Sequence, residues 1–150
     1  MLYVISTRRM VDMVEDAAYP GMEIADANPM PFPGFDRPIL DRCQLLAVMR
    51  ERRYAAWRTA LASVVGIHLI TDIRNSRYVG KADGAKSIRL RWNAANGYGG
   101  NVELCGIDPA NFRYSVLRVF DPAIPMRVID EVESHFKIAL DARRLGLNRN

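Results

Sequence analysis

The chain has 150 residues, 49% of them hydrophobic and 25% charged, which is the composition of one ordinary globular domain with room for an appendage and excludes a disordered tail, a collagen-like repeat and a disulfide-stapled miniprotein. No apolar run approaches the roughly 20 residues that span a bilayer, and residues 1–5 have no basic segment ahead of them, so neither a membrane partner nor a secretory signal is expected and the cytoplasm is the expected location. The formal net charge of +4 lies wholly in residues 61–150, which hold 13 basic and 9 acidic groups, while residues 1–60 balance eight against eight.

In chain order, residues 7–18 have helical apolar spacing at Met10, Val14 and Ala17. Residues 20–38 hold five of the eight prolines and read as an irregular connector. Asp41 is the expected N-cap of a helix through Arg53, with Leu45, Leu46, Val48 and Met49 on its apolar side, and a short helix is expected over 54–62. From Val64 the pattern turns to strands. Residues 64–71 and 77–82 form a hairpin around the turn residues 72–76. Asp83 caps an expected helix to about Ala95, closed by Gly97, and the glycine-rich stretch 97–101 lacks the Gly-Lys-Ser/Thr ending of a phosphate-cradling loop. A third strand over 112–119 ends at Asp121-Pro122, and Pro125 opens a last helix to about Arg143.

Four groups of side chains carry possible chemistry. Within 73–91, Arg74, Arg77, Lys81, Lys86, Arg89 and Arg91 face Asp83 alone, a local positive field that suits a polyanion and reads equally well as a solvated face. In the last helix, Ile129, Glu133, Phe136 and Leu140 make one apolar stripe with a carboxylate inside it. A buried carboxylate needs a cation, a metal or water, and Lys137 at i+4 is the simple alternative. In the hairpin, parity puts Gly66 and His68 on one face and Tyr78 and Gly80 on the matching face, so imidazole and phenol can meet. Glycine inside a strand marks a close approach of backbone or ligand. Cys43 and Cys105, far apart and without a histidine pair, read as buried free thiols.

Gly66-Ile67-His68, Tyr78-Val79-Gly80, Arg91-Trp92, Glu133 and Gly146-Leu147-Asn148, in that order over residues 64–148, resemble the GIY-YIG nuclease family. The resemblance implies an α/β domain over 61–150, a small three-stranded antiparallel sheet flanked by helices; residues 1–60 lie outside it and read from their own pattern as a mainly helical, partly irregular N-terminal extension. It implies a DNA endonuclease that hydrolyses phosphodiester bonds with one Mg²⁺ or Mn²⁺. Taken by position, it implies Tyr78 near the attacking water, Lys81 near the phosphate, Arg91 on the scissile phosphate, Glu133 on the metal and Asn148 closing the site. Arg74, Arg77, Lys81, Lys86 and Arg89 would contact DNA. The family's first tyrosine is His68 here, and a later histidine or tyrosine is Ala95. With an ordinary pKa of about 6.5, His68 is the expected general base, titrating near 6 to 7. The alternative function is a catalytically inactive DNA-binding module of the same fold.

Overall fold

The computed structural model describes residues 28–93 and 104–149. The expected helix over 7–18, the glycine-rich stretch 97–101 and Ala95 lie outside the described residues. Four antiparallel strands form one sheet in the order β1-β4-β2-β3, with β1 Ile39–Asp41, β2 Val65–Thr71, β3 Arg77–Ala82 and β4 Arg113–Phe120. Helices α1 (Arg42–Arg50), α2 (Ala55–Ala62), α3 (Ile88–Trp92) and α4 (Met126–Ala139) flank it. None is long and apolar enough to cross a membrane.

The sheet therefore has four strands, not the expected three. The added strand, β1, is three residues at the outer edge of β4, pairing Leu40 with Tyr114. Its sequence hides it, because Pro38 precedes it and Asp41 ends it by capping α1. The Asp41 carboxylate accepts from Gln44 N at 2.8 Å while the Gln44 side chain accepts from Asp41 N at 2.9 Å, a reciprocal capping box. α1 stops at Arg50, short of Arg53, where Glu51 turns extended. The Arg58 guanidinium donates to the carbonyls of Val48 and Glu51, both at 2.7 Å, and so satisfies the freed end of the helix.

Each sheet face has its own core. On one, Ile70, Tyr78, Ala82 and Tyr114 meet Leu45 and Val48 of α1, Leu61 of α2, and Ile88 and Trp92 of α3. On the other, Val65, Ile67 and Val79 meet Ile129, Val132 and Phe136 of α4. The strand period of two sorts the β2 and β3 side chains between these cores.

Two further expected helices are shorter than their sequence pattern. Ser87, not Asp83, caps α3, its hydroxyl accepting from Leu90 N at 3.3 Å. Asp83 instead starts a turn closed by Lys86 N, with Gly84 at φ +58. α4 ends at Ala139 rather than near Arg143, because Asp141 takes φ +55. Asp141 N then donates to the Ile138 carbonyl and Ala142 N to that of Lys137, a Schellman ending. The cysteines are free, as expected, but both are exposed: Cys43 lies on the outer side of α1 and Cys105 in a turn.

Candidate active site around strand β3

β3 is the sheet's outer strand, and alternate residues turn their backbone groups away from β2. These groups are met by the side chains of Arg91 and Asn148 and the backbone of Leu147 instead of another strand. The Arg77 carbonyl accepts from Leu147 N at 2.7 Å. Val79 is clamped twice by the Asn148 amide, which accepts from Val79 N at 2.8 Å and donates to its carbonyl at 2.9 Å. The Lys81 carbonyl accepts from Arg91 Nε at 2.9 Å. Arg91 and Asn148, two of the residues singled out by the resemblance, thus sit two residues apart along one strand.

Between them lies Gly80, which pairs with His68 across the β2–β3 ladder. A Cβ on Gly80 would fall 2.7 Å from the Tyr78 ring and 2.8 Å from His68 Nε2, so only glycine leaves room for both rings. The imidazole is consequently opposite Gly80 and diagonal to Tyr78, at 6.4 Å between ring centroids. It also meets the edge of Trp92 at 6.3 Å. Gly66 is required for a different reason. Leu117 is an extra residue in β4 opposite the Ile67–His68 step, and this bulge brings the Arg118 carbonyl within 2.1 Å of where a Gly66 Cβ would stand.

His68 is fully buried, and burial, assisted by the Arg91 guanidinium, lowers its pKa to about 3. Neither ring nitrogen has a hydrogen-bond partner among the described residues. The expected titration near 6 to 7 is overturned: the ring is neutral throughout the physiological range, because nothing near it stabilises the charged form.

Glu133 lies on the other side of the sheet, on the α4 face. Its Oε1 is 3.3 Å from Lys137 Nζ, with side chains only 15% and 6% exposed respectively. The stripe's carboxylate therefore carries the i+4 lysine as its cation, the simpler of the two sequence readings. Lys81 points to the same face and pairs with Asp83 at 3.0 Å and with Asp130, one turn before Glu133. Burial opposes its charge, but the hydrogen bonds that the ammonium donates to Asp130 and Asp83 outweigh this and hold it above its ordinary pKa.

Among the described residues no three His, Cys, Asp or Glu side chains gather as a metal cluster. A single carboxylate still fits Mg²⁺, which keeps most of its waters and takes substrate oxygens. The second carboxylate oxygen of Glu133 has no partner among the described residues, while Lys137 anchors the first.

Of the basic residues expected on DNA, Arg77 is committed to the Leu140 carbonyl at 3.3 Å and Lys81 to its two carboxylates. Arg74 and Lys86 are exposed. Arg89 lines an open cleft beside α3, away from Arg91, a location that residue spacing alone did not reveal. Comparisons with family models, curated proteins and solved structures find nothing that matches this chain.

Proposed function

We propose that the chain is a divalent-metal-dependent DNA endonuclease of GIY-YIG type. The observation that carries the reading is the gathering on one strand: Arg91 and Asn148 bond to the backbone of β3 on either side of Gly80, and Tyr78 and His68 crowd the glycine between them. Phosphodiester hydrolysis needs charge neutralisation on the phosphoryl oxygens and a positioned water. Arg91 supplies the first, and Tyr78 with His68 lies nearest the attacking water. Because His68 is neutral and its nitrogens are buried, its part is to position the Tyr78 ring across Gly80. Glu133, on the opposite face of the sheet from Tyr78 and His68, would hold Mg²⁺ or Mn²⁺. The reading requires the phosphate to reach round the β3 edge, where the ion would lend Lewis-acid stabilisation to its oxygens. Lys137 orients that carboxylate, and Asn148 fixes the strand.

A second reading, a DNA-binding module without cleavage, is favoured by the enclosure of His68 and by the internal neutralisation of Glu133. Incubation with supercoiled plasmid, with Mg²⁺ or Mn²⁺ and with a chelator, separates the two. Metal-dependent nicks that vanish in Arg91→Ala support the nuclease. Intact plasmid with a mobility shift supports the binding module, and intact plasmid with no shift removes both.

A further inference from the structure

The cations around β3 are nearly all spoken for. Arg91 donates to the Lys81 carbonyl, Lys81 bridges Asp83 and Asp130, Lys137 holds Glu133, and Arg77 caps Leu140. Arg89 differs. Among the described residues its guanidinium has neither a hydrogen bond nor an ion pair, although the residue is only partly exposed. It lines an open cleft of about 470 Å³ bounded by the end of α2, the start of β2 and α3. The walls are apolar at Val64, Leu90 and Pro122, and polar at Ser87 and Asn93. Among the described residues no carboxylate lines the cleft.

Partial desolvation of a guanidinium without a counter-ion is unfavourable, and an anionic ligand offsets it. The planar fork matches two phosphate oxygens, and asparagine and serine beside it offer further hydrogen bonds. A volume of this order holds one nucleotide-sized group. Arg89 and Arg91 stand about 200° apart around α3, so the cleft is separate from the β3 edge.

We propose that this cleft is a second phosphate seat, which takes one nucleotide with its phosphate on Arg89 and its sugar or base against Val64, Leu90 and Pro122. Where the nucleotide belongs to a DNA strand, the seat rests on the DNA reading above and holds a phosphate other than the one at Arg91. A free mononucleotide has the same chemistry.

The test uses the whole chain and two probes, dTMP and a short fluorescent duplex. Wild type should bind dTMP, and Arg89→Gln should weaken that binding about tenfold or more with unchanged melting temperature. With duplex, Arg89→Gln should lower the slope of log affinity against log salt by about one contact's worth. Loss of dTMP binding alone identifies a free nucleotide as the occupant, and loss with both probes identifies a strand nucleotide. Binding of dTMP without any duplex binding removes the DNA reading and keeps the seat. Unchanged dTMP and duplex affinities in both Arg89→Gln and the charge-reversed Arg89→Glu overturn the proposal.

Discussion

His68 is an ionisable ring enclosed where it cannot be solvated, and that has a measurable cost in acid. Its pKa is about 3 in the folded chain against an ordinary 6.5, burial being the larger cause and Arg91 the smaller. Between these values the unfolded chain binds a proton that the folded chain refuses. The stability it contributes is therefore complete above pH 6.5 and is lost as pH falls toward 3, in total on the order of a few kcal/mol. Urea unfolding of wild type from pH 7 to pH 4 should show this decline, and His68→Phe, which keeps an aromatic ring but does not titrate, should show a shallower one. Equal slopes would remove His68 as the cause. The neighbouring glycine gives a second prediction. Gly80→Ala forces a methyl against both rings and should cost about 1–3 kcal/mol of overpacking. Because the same imidazole is the obstacle, Gly80→Ala and His68→Ala together should cost less than the sum of the two measured singly, a coupling that a double-mutant cycle reads directly. Strict additivity would mean that the imidazole does not crowd position 80, leaving Tyr78 as the obstacle.

At the scale of elements, the outer edge of strand β3 is met by no further strand among the described residues and is protected by other means. An exposed row of backbone donors and acceptors invites pairing with another chain, and here Leu147 N, the Asn148 amide and Arg91 Nε occupy that row. Asn148→Ala should leave the buried N–H and carbonyl of Val79 without partners, at about 1–3 kcal/mol for each group. Hydrogen exchange at Val79 should accelerate far more than exchange at Ile67 in β2; protection unchanged at Val79 would rule out the clamp. The elements themselves differ in how far the sequence reveals them. The Asp41 cap and the β2–β3 hairpin follow from local chemistry: Asp41 pairs with Gln44 three residues on, and the Asp72 carboxylate accepts from Arg74 N and Ser76 N within the turn. β1 does not, since a strand of three residues that follows a proline and ends on the helix cap itself carries no period. The ends of α3 and α4 depend on single backbone conformations at Gly84 and Asp141, which apolar spacing does not encode.

For the whole molecule, the sheet divides the candidate site into two sides, and this changes what substitutions at Glu133 should do. Strand parity was enough to unite His68 with Tyr78, and i+4 spacing was enough to suggest Lys137 beside Glu133. The Arg89 cleft was beyond such reading, because three elements from separate stretches of sequence enclose it. Under the nuclease reading Glu133→Gln should abolish cleavage and retain DNA binding. The sequence alone suggests that stability is also retained, but the structure indicates otherwise. Lys137 is buried with only 6% of its side chain exposed, and the substitution removes its carboxylate partner. Removing one member of a buried ion pair is destabilising, so Glu133→Gln should lose on the order of a few kcal/mol. Replacing both members with Glu133→Gln and Lys137→Met should recover much of that loss, since two neutral side chains need no counter-ion. Cleavage should not recover with it, because the double variant still lacks the carboxylate. Melting temperature and plasmid nicking, measured on the same three proteins, therefore separate structural charge pairing from metal holding. Nicking restored together with stability in the double variant would mean that Glu133 serves the fold alone, and the metal would then have to be held by other residues.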